Sequence, residues 1–347
     1  MRYFIKEDDI EQELIDVCMN ELHYDHHFDC MNIDHLHRKN EVEVLNLDVL
    51  RQAIRSVNNE ATDRPQGMTD AEVEQAIDAI RASDLNVDGH ILNQRILTTI
   101  ISGCRMQVLQ SNGHKELRTV HYIDWKEGNA DNNQFDVINQ LWIQGQVYRL
   151  RPDVIVYING IPLVTIELKD SNIPVREAYD NNLTRYKAAI PQIMAYNAFL
   201  VASNATKTRL GSTFADWTYF SPWFRASEDE KADKEQLEAD KTTLDAMARS
   251  LLKKENLLNY IANYILFYKG TNKICAKNHQ FLGVNRAVER FRYLQFGKPK
   301  ADEQGKMGVF WHTQGSGKSF SMVFLARYLK NRFQGNYTFL VITDRED

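Results

Sequence analysis

The sequence has few cysteines, no long apolar run and no secretory signal. Its four cysteines lie far apart and form no CxxC pair, which argues against a disulfide framework and against a cysteine zinc cage. No apolar run approaches the roughly 20 residues that a membrane-spanning helix needs, and the first residues lack the apolar core of a signal peptide. We therefore expect a protein of the reducing cytoplasm without membrane contact. The cysteines are Cys18, Cys30, Cys104 and Cys275.

The sequence also lacks an excess of positive charge. Its 42 Lys and Arg residues against 47 Asp and Glu residues give a formal net charge of -5. This excludes binding to nucleic acid through overall basicity, so any contact with DNA must be local. The length of 347 residues predicts about two domains, and the content of 43% hydrophobic and 26% charged residues is typical of a globular protein.

Residue patterns predict helices and then a sheet in the first part of the chain. Apolar spacing predicts a helix over residues 9–22, and a capping box that starts at Thr69 predicts another over 69–80. Short β-branched and aromatic runs over 119–168 predict a sheet. We therefore expect an α/β domain in residues 1–225.

A charged segment follows this domain. Residues 227–243 are dense in Asp, Glu and Lys, so we place a helical linker at 226–270 and a second domain at 271–347. A leucine repeat of seven residues in the linker fits either a coiled-coil seam or a helix packed on its own domain. The second is favoured because the positions between the leucines are inconsistently apolar. The leucines are Leu237, Leu244, Leu251 and Leu258.

Residues 307–343 predict one βαβ unit of a parallel sheet, with a glycine turn between its first strand and its helix. The turn resembles a phosphate-binding loop, although His312 stands where the full pattern has its first glycine. Lys318 would reach the β- and γ-phosphates of ATP, and Ser319 would bind the Mg²⁺ of the nucleotide. The alternative is a glycine turn with a chance Lys-Ser pair. The predicted ATP-binding residues of the loop are Gly315, Ser316, Gly317, Lys318 and Ser319.

Two carboxylates and a lysine have the PD…ExK spacing of metal-dependent nucleases. Asp153 follows Pro152 at the start of one predicted hairpin strand, and Glu167 and Lys169 lie two apart on the next, so they share one face. Asp153 and Glu167 would bind Mg²⁺, which prefers oxygen ligands, while Lys169 would stabilise charge on a phosphodiester or orient the attacking water. The alternative is a salt bridge from Lys169 to either carboxylate at the end of a sheet.

The register of this hairpin decides whether the two carboxylates meet. A three- or five-residue loop centred on Gly160 puts Asp153 opposite Glu167, on the same face. A two-residue turn of Asn159 and Gly160 pairs Asp153 with Ile166 instead, and puts the carboxylates on opposite faces. Apolar neighbours predict a central strand pair, where two buried carboxylates need a cation.

Two weaker patterns have competing explanations. The pairs His23/His27 and His26/Cys30 have the spacing of helical zinc ligands, but ordinary histidines after a helix are favoured because no second pair closes a site. Basic residues interleaved with aromatic ones over 286–300 fit a contact with a phosphate backbone or a solvated helix face equally well.

Several segments with distinctive sequences occur in a fixed order. They are residues 148–153 (YRLRPD), 159–163 (NGIPL), 166–169 (IELK), 186–191 (YKAAIP), 279–290 (HQFLGVNRAVER) and 311–319 (WHTQGSGKS). Together they resemble the restriction (R) subunits of type I restriction-modification enzymes, whose usual loop sequence also explains His312. The joint occurrence is much more specific than any one motif.

The resemblance implies a PD-(D/E)xK endonuclease domain followed by a RecA-like superfamily 2 motor that pulls DNA using ATP. Asp153 and Glu167 would hold Mg²⁺, and Lys169 would complete the nuclease. Gln280 resembles the adenine-reading glutamine upstream of the phosphate-binding loop. The implied partners are double-stranded DNA and separate modification and specificity subunits.

Three further features follow from the resemblance. Glu11 or Glu13 of the first helix would support the metal. Asn182 and Tyr186 have the spacing of a QxxxY element that the family often carries, with Asn in place of Gln. Residues 343–345 (TDR) resemble the start of the next motor motif.

We therefore predict an α/β fold with a PD-(D/E)xK nuclease mixed sheet flanked by helices, a helical linker, and the first βαβ unit of a RecA-like P-loop domain. The predicted function is that of an endonuclease and ATP-dependent DNA translocase subunit that cleaves phosphodiesters with Mg²⁺. One alternative is an ATP-driven motor with an inactive nuclease-like docking domain. The other is a docking module that assembles the complex.

Overall fold

A computed structural model of the chain describes residues 4–27, 38, 40–82, 85, 87–226, 242–268 and 272–342. Within these ranges the chain forms thirteen strands, most of them short. The strands are β1 (Asp25–His27), β2 (Cys104–Leu109), β3 (Lys115–Val120), β4 (Phe135–Asn139), β5 (Ile143–Gln144), β6 (Arg149–Leu150), β7 (Val154–Ile158), β8 (Ile161–Leu168), β9 (Phe199–Ser203), β10 (Thr208–Gly211), β11 (Ser221–Pro222), β12 (Ile265–Tyr268) and β13 (Asn272–Cys275).

Seven strands form a central mixed sheet in the order β1-β4-β7-β8-β9-β10-β11. The pairs β1/β4 and β8/β9 are parallel, and the other neighbours are antiparallel. Every residue of β4, β7, β8 and β9 is buried, which is typical of strands covered on both faces. The predicted mixed α/β fold is confirmed.

Ten α-helices accompany the strands within the described ranges, and none of them is long and apolar enough to cross a bilayer. Two π-helical turns adjoin them, Val17–Glu21 after the first helix and Ala178–Leu183 before the fifth. The helices are α1 (Glu7–Asp16), α2 (Leu47–Val57), α3 (Asp70–Ile80), α4 (Gly89–Ser102), α5 (Thr184–Ala189), α6 (Pro191–Met194), α7 (Thr243–Leu251), α8 (Lys254–Asn263), α9 (Asn278–Phe296) and α10 (Lys318–Arg332).

The two helices predicted near the N-terminus are present. The first begins at Glu7, two residues earlier than predicted. The capping box before α3 is confirmed, because Thr69 accepts a hydrogen bond from the backbone N–H of Glu72, whose carboxylate accepts one from the N–H of Thr69. Local sequence therefore determines where α3 starts.

The described part of the predicted linker packs against the first part of the chain. The Tyr24 hydroxyl donates a hydrogen bond to the Leu252 carbonyl at 2.6 Å, and the Trp223 indole donates to the Ser250 hydroxyl at 3.1 Å. Three of the four repeated leucines are buried, in two separate helices, so they belong to the core of this domain rather than to a coiled-coil seam. Leu237 lies outside the described residues, and the domain boundaries stay a prediction.

The linker was predicted to be helical up to residue 270, and this prediction is wrong for residues 265–268, which form a strand. Helix α8 stops at Asn263, and β12 pairs with β13 as an antiparallel hairpin. Ile265, Phe267 and Tyr268 of β12 and Ile274 of β13 explain the difference, because β-branched and aromatic residues favour a strand once a partner strand is near.

The segment around the glycine turn agrees with the prediction only in part. Helix α10 begins at Lys318, directly after the turn. Residues 308–311 and 337–342 were predicted as strands but carry no strand hydrogen bonds. The physical reason is the lack of a neighbouring strand for either segment within the described residues, since a strand requires a hydrogen-bonded partner.

Candidate active site

The hairpin of β7 and β8 combines both of the registers that the sequence allows. Asn159 and Gly160, with φ of 51° and 78°, form a two-residue turn. Ile158 therefore pairs with Ile161. A β-bulge then shifts the register, so that Val154 pairs with Ile166.

The bulge brings the two carboxylates to the same place. Continued by one residue, the shifted register puts Asp153 opposite Glu167. The Leu168 N–H donates a hydrogen bond to Oδ2 of Asp153 at 2.7 Å. Pro162 lies beside the bulge and has no N–H for the ladder, which favours the irregularity at this point. The predicted alternatives were thus incomplete, because a two-residue turn does not separate the carboxylates.

Both carboxylates are buried. Asp153 is 6% exposed and Glu167 is fully buried. The Tyr186 hydroxyl donates a hydrogen bond to Oε2 of Glu167 at 2.9 Å. Lys169 Nζ lies 3.5 Å from Oε1 of Glu167, and it also donates to the Leu168 carbonyl at 2.5 Å. Asp153, Glu167 and Lys169, predicted from spacing alone, therefore lie together.

The protonation equilibria of this group reflect burial and mutual repulsion. Burial raises the pKa of Asp153 to about 6. Burial and then the Asp153 carboxylate raise the pKa of Glu167 well above its ordinary value. Burial lowers the pKa of Lys169, but the carboxylates of Glu167 and Asp153 outweigh this and raise it overall. Lys169 is therefore protonated, and its positive charge offsets part of the negative charge of the carboxylates.

The donor set fits a hard divalent cation. Two buried carboxylates whose ionisation is unfavourable gain from a cation, and Mg²⁺ commonly binds through one or two carboxylates while it keeps several waters. Asp153 and Glu167 are the residues that would hold Mg²⁺ here. No group of three or more His, Cys, Asp or Glu residues suited to a metal occurs within the described ranges, so water and substrate would supply the other ligands.

The histidines near the N-terminus likewise form no group of three or more metal-binding side chains within the part of the chain that the structure describes. His26 lies in β1, and its Nε2 is 3.2 Å from Oδ1 of Asn139. Cys30 lies outside the described residues. The favoured alternative, ordinary histidines, agrees with these contacts, although the segment is a strand and not a helix.

Helix α1 lies against this site. Oε1 of Glu11 accepts a hydrogen bond from Asn139 at 2.8 Å, and Oε2 accepts one from Gln140. Oε2 of Glu7 lies 3.3 Å from Lys169 Nζ. The negative charges of Glu7 and Glu11 add to the effect of burial on the pKa of Asp153. Of the two glutamates predicted to support the metal, Glu11 lies near the carboxylates. Its oxygens accept hydrogen bonds from Asn139 and Gln140, so these contacts assign it no metal-binding role.

The Asn182 and Tyr186 pair adjoins the same group. Tyr186 is buried, its hydroxyl donates a hydrogen bond to Oε2 of Glu167, and the Asn182 side chain lies beside that hydroxyl. Asn182 therefore occupies a supporting position behind Tyr186, one helical turn away.

The predicted ATP-binding residues form a second group. Gly315 and Gly317 have φ of 77° and 90°, which favours glycine at both positions. Lys318 Nζ donates a hydrogen bond to the His312 carbonyl at 3.1 Å across the turn, and Ser319 is exposed at the start of α10. Ser316 donates to the carbonyl of Thr313. Two internal hydrogen bonds thus close the turn, one donated by Ser316 and the other by Lys318.

Gln280 contacts this turn. Its Nε2 donates to the Gly317 carbonyl at 2.9 Å, and its Oε1 accepts from the Lys277 N–H at 2.8 Å. A Cβ atom on Gly317 would lie 2.7 Å from Gln280 Nε2, so this close approach requires glycine. Both ends of the Gln280 amide are thus bonded within the chain, and adenine recognition stays a prediction.

Comparison with known proteins places these sites in a family. Residues 4–219 match the family model described as type I restriction enzyme R protein N terminus, and residues 279–347 match that of the SWI2/SNF2 ATPase. The chain belongs to the type I restriction enzyme R protein family. The resemblance stated from the motifs is therefore confirmed.

Relatives of this R protein are similar over much of the chain. The Haemophilus influenzae type I restriction enzyme HindI endonuclease subunit is 34% identical over 315 residues, 88% of this chain and 28% of the relative. A Methanocaldococcus jannaschii protein designated MjaIXP is 33% identical over 283 residues, 76% of this chain and 26% of the relative. The Staphylococcus aureus SauCOLORF180P endonuclease subunit is 29% identical over 217 residues, 62% of this chain and 21% of the relative. The chain spans about a quarter of the length of these curated relatives.

Sequence reasoning missed one residue of the R-protein site. Glu7 contacts Lys169, although only Glu11 and Glu13 of the first helix were considered. Residues four apart share one face of a helix, so Glu11 on the site face indicates Glu7 as well. That spacing is the signal that could have found it.

Proposed function

We propose that this R protein is the Mg²⁺-dependent DNA endonuclease and ATP-dependent translocase subunit of a type I restriction enzyme. The meeting of Asp153, Glu167 and Lys169 at one buried point of the central sheet carries the nuclease part of the proposal. The endonuclease names of the relatives support it, as does the SWI2/SNF2 ATPase match for the motor.

In the proposed nuclease, each residue has a separate task. Asp153 and Glu167 hold Mg²⁺, which when bound would polarise the phosphate and make a water more acidic. The Leu168 N–H fixes one oxygen of Asp153, and the Tyr186 hydroxyl fixes one oxygen of Glu167. Lys169 remains protonated because two carboxylates face it, so its ammonium group can stabilise charge that develops on the phosphodiester.

In the proposed motor, the turn binds the phosphates of ATP. Gly315 and Gly317 lie at the N-terminus of α10, where phosphates bind favourably, and the Ser316 N–H would exchange the Thr313 carbonyl for a phosphate oxygen. Lys318 would exchange the His312 carbonyl for a phosphate oxygen, and Ser319 would bind the Mg²⁺ of the nucleotide. Gln280 would read adenine only after release from Gly317.

The proposed partners follow from this role. The substrate is double-stranded DNA, and separate modification and specificity subunits supply methylation and target choice. The protein works in the cytoplasm, where it meets DNA.

The test compares wild type with Glu167→Ala in the whole protein, reconstituted with its modification and specificity subunits. We expect Mg²⁺-dependent DNA cleavage by wild type only, with equal ATP hydrolysis by both proteins. Equal ATP hydrolysis without cleavage by either protein would indicate instead the alternative function, an ATP-driven motor with an inactive nuclease-like docking domain, and equal cleavage by both would mean that Glu167 does not take part in cleavage. Loss of both activities in the variant would indicate misfolding, which a thermal melt would detect.

A further inference from the structure

A short hairpin of β5 and β6 lies beside the carboxylate site. The Gly145 N–H donates a hydrogen bond to the Tyr148 carbonyl at 2.8 Å, so Gln146 and Val147 form a two-residue tip. A Cβ atom on Gly145 would lie 1.8 Å from the Ala189 carbonyl oxygen at the end of α5. The hairpin is therefore packed directly against α5, and its position is fixed by that contact.

Tyr186 connects this hairpin region to the carboxylates. Its hydroxyl lies 2.9 Å from Oε2 of Glu167 and 3.4 Å from the Arg151 carbonyl oxygen. Arg151 precedes Asp153 by two residues, and Arg185 precedes Tyr186 by one. Two arginines therefore lie close in sequence to residues of the site, Arg151 to Asp153 and Arg185 to Tyr186.

These two arginines carry uncompensated charge. Both are exposed, and neither forms an ion pair within the residues that the structure describes. The guanidinium carbon of Arg151 lies 5.2 Å from the ring centre of Trp142, and that of Arg185 lies 5.5 Å from the ring centre of Tyr148. Aromatic faces hold guanidinium groups in place without neutralising them.

Neighbouring Arg149 shows the contrast. Its Nε donates to Oε2 of Glu41 at 2.7 Å, so its charge is balanced. The ring of Trp142 lies 4.0 Å below the same guanidinium. Arg149 therefore supports the hairpin, while Arg151 and Arg185 remain available to an anion.

The hairpin also exposes apolar surface next to this charge. Val147 is 76% exposed and Tyr148 is 54% exposed. Arginine on an aromatic face combined with exposed apolar atoms suits a ligand that offers both phosphates and sugar or base faces. The chain has a net charge of -5, so this local arrangement, and not overall charge, would have to attract nucleic acid.

We propose that the β5–β6 hairpin and the start of α5 bind the DNA backbone beside the bond to be cleaved. Arg151 and Arg185 contact phosphates, and Val147 and Tyr148 contact the sugars between them. The inference rests on the proposed nuclease function and names its substrate-positioning surface. Two guanidinium groups without ion-pair partners among the described residues, held on aromatic faces beside exposed apolar atoms, suit the alternating phosphates and sugars of a DNA strand, so DNA is the occupant that the geometry favours.

Salt dependence of DNA binding tests the proposal in the whole protein, measured without divalent metal so that no cleavage occurs. We expect the double variant Arg151→Ala/Arg185→Ala to lower the slope of log affinity against log salt by about 2, one per lost phosphate contact. Affinity at about 0.1 M salt should fall about tenfold or more. Replacement of both arginines by lysine should keep most of the slope.

Two further variants make the result specific. Arg105→Ala is the matched control, because Arg105 is exposed on the separate β2–β3 hairpin, and it should leave slope and affinity unchanged. Val147→Ala should lower affinity without a change of slope, because Val147 is exposed and its removal takes away apolar contact only.

Other outcomes overturn the inference. An unchanged slope in the double variant, or an equal loss in Arg105→Ala, means that the hairpin is not the DNA contact. Unchanged DNA binding with weaker assembly of the modification and specificity subunits would make the patch a protein interface. Failure of the nuclease proposal is distinguishable, since Glu167→Gln would then cleave normally whatever the arginine variants do.

Discussion

At the scale of single residues, burial of Asp153 and Glu167 opposes the charge that metal binding needs. Burial raises the pKa of both carboxyls, to about 6 for Asp153. The folded protein without metal is therefore destabilised at neutral pH by groups that it needs for its proposed reaction. Such conflict between stability and function is common at functional sites.

This conflict predicts that Asp153→Asn stabilises the metal-free protein. The pKa of Asp153 is higher in the folded state, about 6 against 3.8, so its unfavourable contribution grows as pH rises through that range and is complete above it. Two pKa units correspond to about 3 kcal/mol, which is the upper limit of the gain at pH 7. Urea unfolding in chelator at pH 4 and pH 7 measures it.

The gain should shrink to a small fraction of its pH 7 value at pH 4, where the carboxyl is almost fully protonated in the folded state and partly protonated in the unfolded state. Asp131→Asn is the control, because the Asp131 side chain is 91% exposed and should show no such pH-dependent gain. A destabilised Asp153→Asn variant at pH 7 would mean that the bond from Leu168 outweighs the cost of burial.

A second residue prediction concerns Tyr186, which holds Glu167 without touching substrate. Tyr186→Phe removes the 2.9 Å hydrogen bond to Oε2 of Glu167. Loss of a partner that orients a metal ligand costs 10- to 100-fold in metal affinity or activity, so we expect cleavage to need roughly tenfold more Mg²⁺. A Mg²⁺ titration of cleavage measures this.

Tyr122→Phe is the matched control for Tyr186→Phe. Tyr122 is also buried and donates to the Ala76 carbonyl at 2.7 Å, outside the carboxylate group. Both variants should lose similar stability, and only Tyr186→Phe should change the Mg²⁺ requirement. Equal Mg²⁺ curves would restrict Tyr186 to a structural role.

Single residues also show how much of the candidate site could be predicted from the sequence. The spacing of Asp153, Glu167 and Lys169 was sufficient to select them, because strand periodicity decides which side chains share a face. Glu7 was missed because its contact with Lys169 depends on how α1 packs against β8, 162 residues away in sequence. Helical spacing indicates Glu7 only once Glu11 is known to lie on the site face, and the local pattern alone does not place it there.

At the scale of elements, the β7–β8 hairpin depends on a tight turn against helix α2. A Cβ atom on Gly160 would lie 2.3 Å from the Asn46 carbonyl oxygen, which precedes α2. The Asn46 N–H donates to the Gly160 carbonyl at 2.9 Å. The turn and the helix start therefore fix each other, and the register of the carboxylates follows from both.

Gly160→Ala should disturb this arrangement. The substitution adds backbone strain at φ of 78° and a clash with Asn46, and left-handed strain alone costs about 1–2 kcal/mol. We expect a larger loss of unfolding free energy than this, together with weaker Mg²⁺-dependent cleavage. Urea unfolding and a cleavage assay measure the two effects.

Gly113→Ala separates strain from clash. Gly113 has φ of 80° and no atom within 4 Å of the added Cβ. It should lose only the strain energy and keep full cleavage activity. If both variants behave alike, contact with Asn46 does not fix the register.

The same hairpin shows why elements are only partly predictable. Turn residues predicted two alternative registers, and the structure uses a two-residue turn followed by a bulge. A bulge inserts one unpaired residue, which reverses the conclusion drawn from the turn alone. The Pro162 position was the signal, since proline in a central strand marks an irregular ladder.

At the scale of the whole molecule, distant segments join through polar contacts that no pattern predicts. Lys273 of β13 is 8% exposed and donates to Asn93 of α4, to the Asn197 carbonyl and to Thr213, at 2.6–2.9 Å. A single lysine in a strand gives no sign of burial in the sequence. The β12–β13 hairpin was missed for the same reason, because its stability comes from the domain that it packs on.

Glu127 joins the first part of the chain to α10, the helix that follows the glycine turn. Its Oε1 accepts from Nη2 of Arg292 at 2.8 Å and from Nη2 of Arg332, the last residue of α10. The Arg332 side chain is only 7% exposed and also contacts Glu289 at 3.0 Å. Loss of one carboxylate from such a network weakens the contact more than loss of an isolated surface pair.

Glu127→Gln should therefore loosen α10 more than the rest of the molecule. We expect amide hydrogen exchange in α10 to become roughly fivefold faster, or about 1 kcal/mol, while the central sheet stays unchanged. Glu116→Gln is the control, because Glu116 pairs with Arg118 within the exposed β3 strand. Unchanged exchange in α10 would show that the Asn331 to Asn263 hydrogen bond and the apolar contacts hold the helix without Glu127.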